Sequence, residues 1–546
     1  MLHPTVFNTA QVCSQLGVKH AVMSPGSRNA PLTISFARHE GIKKWIIPDE
    51  RSAGFVALGI AQETNTPAVL CCTSGSALLN YAPAIAEAYY REIPLIIMSA
   101  DRPPELIDQR DGQTIRQFEA LKNHVKGSWR LPIVTDQSCA EEYEQSLIEA
   151  LHISGELPKG PVHINIPFKE PFYPDAGQDL KFEEVPIPDS VVSVTQSGVS
   201  LSITDSKKIL ILIGQQLADE DLNNQLQQIS ERIPFVKSPL NNLVDGIDHV
   251  DVFIEGKNEL TPDLLITSGL SVLSKKLKLF IRKYKPKRHI HFDPAGVKVD
   301  TYDSNPQFIK RNLSDFIDQL IEHEVNAEYI GEWKKLEERT KAAIEDFIRR
   351  APHSETKAAH SILESIPTKS NLHLSNSMPV RYADLFGVKN SINVYCNRGT
   401  SGIDGCTSTA VGASLVSDET NVLVTGDLAF LYDRNAFFHN YDLPNLRIIV
   451  LNNQGGGIFR LIDGPSKLPE LETYFETRHN RTAEYICAEN GFEYLKAADA
   501  ESLQEHLKTF YMPSKSAKIL EVFTDPEVNQ REFKALKTQI NERIKN

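Results

Sequence analysis

The sequence predicts an α/β protein built from three α/β domains with mostly parallel sheets. Three observations lead there. Short apolar runs alternate with longer helix-patterned stretches, first over residues 5–175 and again after Ala359. A stretch rich in Ser, Val, Asp and Pro interrupts this alternation up to about residue 205 and reads as a linker. At 546 residues, the chain also exceeds what one hydrophobic core organises.

In the first block, the strand candidates are Ala21-Val22-Met23, Trp45-Ile46-Ile47, Ala68-Val69-Leu70, Pro94-Leu95-Ile96-Ile97-Met98 and Val162-His163-Ile164-Asn165-Ile166. Runs this short and this apolar suit strands covered on both faces, as parallel strands are. Prolines 167, 171 and 174 end the block. A second, smaller block begins at Ile209-Leu210-Ile211-Leu212-Ile213-Gly214 and continues through Leu264-Leu265-Ile266 and His289-Ile290-His291-Phe292. The charged helical segment Glu332–Glu338 leads to a third block. Its strand candidates are Asn393-Val394-Tyr395, Val422-Leu423-Val424 and Ile448-Ile449-Val450-Leu451. The expected domains are therefore 1–180, 181–350 and 351–546, without a short internal repeat.

Composition removes several function classes. A formal net charge of −13 argues against nucleic-acid binding, while leaving room for a local basic pocket that takes a small anion. No apolar run approaches the ~18 residues of a membrane span, and Met1-Leu2-His3-Pro4-Thr5 lacks the blocks of a signal peptide. Seven cysteines without a C-x-x-C pair point to reduced thiols in a cytoplasmic protein, with neither a disulfide framework nor a zinc site. Gly214-Gln215-Gln216 lacks the G-x-G-x-x-G of a dinucleotide site.

The strongest chemical signal lies in the third block. One strand candidate runs into Gly426-Asp427, and the next runs into Asn452-Asn453-Gln454-Gly455-Gly456-Gly457. Strand C-termini line the ligand-binding edge of a parallel sheet. A carboxylate, an amide oxygen and a backbone carbonyl suit a hard divalent cation, and glycines admit phosphates close to the backbone. Taken singly, each half also reads as ordinary capping of a βα turn.

Together, these strings resemble the thiamine-diphosphate motif, which runs from Gly-Asp to Asn-Asn across one strand–helix–strand unit. The resemblance implies a thiamine-diphosphate-binding fold in which Asp427, Asn453 and the Gly455 carbonyl hold Mg²⁺ or Mn²⁺. Leu428 stands where the widespread motif has glycine, a form compatible with the narrower family named below. Glu50 opens Glu-x-x-Ala-Gly-x-x-Ala-x-Gly, which resembles the pyrimidine-domain signature of the same superfamily. A mostly desolvated Glu50 is the acid such enzymes need to protonate the aminopyrimidine ring, and small residues beside it permit tight helix packing. As plain sequence it is also a common acidic residue at a helix start. Gly426, Ile403, Ile458 and Phe459 complete the expected cofactor surroundings, Ile403 as the prop for the bent cofactor. The superfamily pairs domains of two subunits, implying a homodimer or homotetramer with active sites between subunits.

Four further strings resemble 2-succinyl-5-enolpyruvyl-6-hydroxy-3-cyclohexene-1-carboxylate synthases of menaquinone biosynthesis. They are Ser24-Pro25-Gly26-Ser27-Arg28-Asn29-Ala30-Pro31-Leu32, Ala100–Leu106, Ser375–Arg381 and Asn397–Gly405. The resemblance implies decarboxylation of 2-oxoglutarate followed by conjugate addition of the succinyl unit to isochorismate. Both are di-acids, for which arginine forks are apt partners. Ser27, Arg28, Arg102, Gln113, Lys275, Ser377, Arg381 and Arg398 form the implied substrate set. Gly112 replaces a frequent Asn, and Lys275-Lys276 a usual Lys-Arg pair. An acetohydroxyacid synthase or a simple 2-oxo-acid decarboxylase would share Glu50 and Asp427 without needing the arginine strings. A catalytically silent regulatory relative would retain the fold alone.

Overall fold

The computed structural model describes residues 3–174, 179–188, 201–462 and 464–545. Much of the stretch read as a linker, namely 175–178 and 189–200, lies outside the described residues. Among those described, no helix is long and apolar enough to cross a membrane.

Among the described residues three sheets form, and every strand pair in them is parallel. The first contains β1 (His20–Met23), β2 (Lys43–Ile46), β3 (Ala68–Cys72), β4 (Leu95–Asp101), β5 (Ser128–Arg130) and β6 (Val162–Pro167). Its order is β2-β1-β3-β4-β6-β5. Every residue of β3, β4 and β6 is buried, as expected of strands with helices on both faces. The three-residue β5 is half-exposed at the edge and has no apolar run to announce it.

The second sheet holds β7 (Ile209–Ile213), β8 (Phe235–Val236), β9 (Leu264–Ser268), β10 (Arg288–Phe292) and β11 (Gln307–Ile309), ordered β11-β10-β9-β7-β8. Gly214 follows β7 because a Cβ there would lie 1.8 Å from the Leu270 carbonyl oxygen. The third sheet is made of β12 (Ser370–Leu374), β13 (Asn393–Cys396), β14 (Thr420–Gly426), β15 (Leu446–Asn452), β16 (Glu493–Ala497) and β17 (Lys518–Phe523). Its order, β13-β12-β14-β15-β17-β16, repeats that of the first sheet strand for strand.

The chain forms two compact units: 1–195 with 397–418 and 432–443, and 196–396 with 419–431 and 444–546. In the first unit the helix Glu50–Thr64 is buried from Ser52 through Gln62 and packs against the helix Cys406–Ser414. Glycines set that approach. A Cβ on Gly59 would sit 2.0 Å from the Thr409 carbonyl oxygen, and one on Gly412 would sit 2.1 Å from that of Val56. The expectation of small residues on the Glu50 helix thus has a concrete partner.

Candidate active site

In the first unit, chemistry-bearing residues follow the C-terminal ends of neighbouring strands. Ser24-Pro25-Gly26-Ser27 leaves β1 as a fastened turn: Ser24 Oγ donates to the Ile47 carbonyl at 2.9 Å, and Asn29 Nδ2 donates to the Ser24 carbonyl at 3.0 Å. Ser27 is exposed. Arg28 is buried; its Nη1 donates to the Phe168 carbonyl at 2.9 Å, and its guanidinium lies 4.4 Å from the Phe172 ring centroid. One edge of that fork is therefore already committed to protein.

Glu50 is the first residue of its helix, beyond β2, with Asp49 capping through a 3.1 Å bond from the Ser52 amide. Here Glu50 is half-buried rather than mostly desolvated. It opens the helix at its positive end, where a carboxylate is favoured. Arg102 follows β4 and lies half-buried, 3.8 Å from Asp111. Its backbone amide donates to Asp101 Oδ1 at 2.8 Å.

Behind it sits a buried polar strut absent from the sequence expectations. Asn165 Nδ2 donates to Asp101 Oδ2 at 2.8 Å, and Gln117 Nε2 donates to Asn165 Oδ1 at 2.9 Å. Gln117 Oε1 accepts the Gly75 amide at 3.0 Å. This network fixes the base of the loop that presents Gln113, an exposed residue with φ of 56°. Arg398, half-buried, and Ile403, 37% exposed, occupy a loop that Glu87 fastens. The fully buried Glu87 carboxylate accepts the Gly399 amide at 2.9 Å, the Thr400 amide at 2.7 Å and the Thr400 hydroxyl at 2.8 Å.

In the second unit, β14 ends at the half-buried Gly426 and delivers Asp427, which is only 3% exposed. Asp427 Oδ1 accepts the Leu428 amide at 2.7 Å, and Oδ2 accepts the Gly455 amide at 2.9 Å. The neighbouring β15 ends at Asn452 and delivers Asn453, whose Nδ2 donates to Glu355 Oε2 at 2.6 Å. Glu355 thereby orients the amide. Asn453 Oδ1 is buried without a hydrogen-bond partner among the described residues, a state that normally costs about 1–3 kcal/mol. An oxygen held this way beside a carboxylate fits a hard cation.

Glycines close the same corner. A Cβ on Gly455 would meet the Glu476 carbonyl oxygen at 2.7 Å, and one on Gly457 would meet Asn453 Nδ2 at the same distance. The Gly456 amide donates to the Glu476 carbonyl at 2.8 Å, pinning the run. Burial, with Asp427 beside it, pushes the Glu355 carboxyl up to about 7. His479 Nε2 lies 3.4 Å from Asp427 Oδ2. Neither Glu355 nor His479 belongs to a recognisable string, so only the folded chain brings them to this corner.

Ser377 leaves β12 as the N-cap of the helix Met378–Phe386, with a φ of 78° that L-residues rarely adopt. Arg381, on that helix, lines a cavity of about 260 Å³ with Lys275, Ile458, Met378, Phe533 and Lys537. Phe459 and Ser377 are not among its lining residues; Phe459 instead packs against Phe475 at 5.7 Å between ring centroids.

Residues 8–121 match the family described as thiamine pyrophosphate enzyme, N-terminal TPP binding domain. Three full-length relatives carry the name 2-succinyl-5-enolpyruvyl-6-hydroxy-3-cyclohexene-1-carboxylate synthase. The protein from Cytophaga hutchinsonii is 42% identical, over 98% of this chain and 99% of its own. That from Flavobacterium johnsoniae is 40% identical, over 96% and 97% respectively. That from Bacteroides fragilis is 35% identical, over 95% of each. Likeness of this extent, together with the residues set at the strand ends, makes the chain a member of the thiamine-diphosphate-dependent 2-succinyl-5-enolpyruvyl-6-hydroxy-3-cyclohexene-1-carboxylate synthase family.

Proposed function

We propose that the chain decarboxylates 2-oxoglutarate and adds the succinyl unit to isochorismate, releasing CO₂ and 2-succinyl-5-enolpyruvyl-6-hydroxy-3-cyclohexene-1-carboxylate. The observation that carries the cofactor half is the buried, unpartnered Asn453 Oδ1 one strand away from Asp427. Those two oxygens and the Gly455 carbonyl would hold Mg²⁺ or Mn²⁺, with the glycine run against the diphosphate. Thiamine diphosphate supplies the nucleophilic carbon and the electron sink that such a decarboxylation requires.

The protein's share is to orient, protonate and neutralise. Glu50 donates and recovers a proton at the aminopyrimidine ring. Arg398 takes a carboxylate of 2-oxoglutarate from a loop that the buried Glu87 holds still. Ser27, Arg28, Arg102, Gln113 and Ser377 are assigned to the same substrates, while Lys275 and Arg381 serve the acceptor from their shared cavity. Ile403, Gly426, Ile458 and Phe459 are assigned to the cofactor.

A site shared between copies, in a homodimer or homotetramer, fits the half-open Glu50, which a second copy would desolvate. We place the protein in the cytoplasm. The deciding experiment is product identification by mass spectrometry from purified protein, thiamine diphosphate, Mg²⁺ and both substrates. Parallel reactions replace 2-oxoglutarate by pyruvate or omit isochorismate. Equal CO₂ release from pyruvate, or no adduct with isochorismate, would overturn the reading.

A further inference from the structure

The 260 Å³ cavity of the second unit contains a cation that no signature string includes. Lys537 sits on the C-terminal helix Pro526–Lys545, whose buried stripe comprises Asn529, Glu532, Phe533, Leu536, Ile540 and Ile544. Four residues after Phe533, it lies on the margin of that stripe. Its Nζ lies over the Phe533 ring, 4.4 Å from the centroid. Among the described residues, the ammonium has no hydrogen-bond or ion-pair partner.

Its surroundings disfavour a lone cation. Burial lowers the Lys537 pKa, and Lys276 and Arg381 lower it further, against the opposing pull of Asp251 and Glu255. The two acids have other partners. Glu255 pairs with Lys276 at 2.9 Å, and Asp251 Oδ1 accepts from Ser274 Oγ at 2.6 Å and from the Lys276 amide at 3.1 Å. Asp384, the other lining acid, is pushed well above the carboxylate range by burial and by Asp251 and Asp248. The cavity therefore presents Lys275, Arg381 and Lys537 beside one acid, Asp251, that is already engaged and a second, Asp384, whose charged form burial disfavours. Met378, Ile458, Leu461 and Phe533 give it an apolar wall.

We propose that Lys537 is a third carboxylate-binding cation of this cavity and selects an acceptor whose carboxylate is attached to a small apolar ring. The inference rests on the proposed reaction, in which isochorismate is that acceptor. It also explains the Lys275-Lys276 departure: Lys276 is spent on Glu255, and the second cation comes from the C-terminal helix. A bound carboxylate would offset the repulsion that Arg381 exerts on the buried Lys537 ammonium, so an anion stabilises an arrangement that otherwise costs energy.

The test uses the holoenzyme with Lys537→Gln and Lys537→Arg, reading the KM for each substrate and the Kd for isochorismate by calorimetry without 2-oxoglutarate. Loss of one charge-assisted contact predicts about a tenfold rise in both isochorismate constants for Lys537→Gln. The KM for 2-oxoglutarate should shift less than about twofold, and Lys537→Arg should restore most of the affinity, because its charge is kept. Unchanged isochorismate constants would overturn the assignment. So would equal rises for both substrates together with a lowered melting temperature, which is the signature of a merely structural lysine. Failure of the underlying reaction is distinguishable, since it appears as a wild-type enzyme that forms no adduct.

Discussion

The first and third sheets share one strand order and put entirely different chemistry on it. In the third sheet the two adjacent inner strands β14 and β15 deliver Asp427 and Asn453, both buried and both held by short hydrogen bonds. Their counterparts in the first sheet, β3 and β4, run instead into Thr73-Ser74-Gly75 and Asp101-Arg102. Its acid, Glu50, follows the edge strand β2 and remains half-open. The proposed cation site would need desolvated oxygens fixed in advance, which the middle of a parallel sheet provides. An acid that exchanges protons with a bound ring needs its final environment only once that ring is in place.

The comparison breaks most readily at Glu50. Glu50→Gln keeps the helix start and removes the exchangeable proton, so kcat should fall about 10²- to 10⁴-fold while thiamine diphosphate remains bound. Rapid CO₂ assays with cofactor retention measured on the same sample check this, and full turnover would remove the assigned role. Asp427→Ala attacks the other sheet and should fail differently. Cofactor affinity should drop about a hundredfold and lose its dependence on added Mg²⁺, as judged by equilibrium titration. If both variants lost cofactor equally, the division of labour between the sheets would be wrong.

Arg398 sharpens the picture further, because its loop is anchored by Glu87 rather than by a strand end of the first sheet. Arg398→Ala should raise the KM for 2-oxoglutarate about 10- to 100-fold, the value of one charged hydrogen-bonded contact. Steady-state kinetics that leave this KM unmoved would remove the assignment.

Much of this was legible because parallel strands are buried on both faces and so appear as uninterrupted apolar runs. Val162–Ile166 and Ile448–Leu451 each lie within a strand of the structure. The strands that escaped notice were β5, β8 and β11, at two or three residues each, and β12, β16 and β17, where polar residues dilute the run. The Ser370-Asn371-Leu372-His373-Leu374 strand is fully buried yet reads as polar, because Asn371 and His373 find side-chain partners across the sheet, His373 bonding Asn421 at 3.0 Å. Motif residues were visible at the site because glycine, aspartate and asparagine were clustered at strand ends. Glu87 and Glu355 were not, since each acts on a segment remote in sequence and stands among unremarkable helical neighbours.

The smallest expected effect concerns the part of the first unit that comes from late in the sequence. Asp433 is fully buried and fastens the start of the helix Cys406–Ser414, accepting the Ser408 amide at 2.6 Å and the Ser408 hydroxyl at 2.8 Å. Burial pushes its carboxyl up to about 7, against the lowering influence of Ser408 and Arg51. The folded protein therefore retains this proton between pH 4 and 7, where the unfolded chain has released it. Such a raised acid makes stability fall as pH rises through that window and leaves the full cost in place above it. Asp433→Asn removes the titration and, like the protonated acid, offers one acceptor and one donor to Ser408, so at pH 5 it should cost no more than about 1 kcal/mol. Between pH 5 and 8 the variant should lose less stability than the wild type, so the difference in melting temperature should narrow or change sign. Parallel thermal melts across that range measure it, and two curves of identical slope would show that Asp433 is ionised in the folded protein throughout.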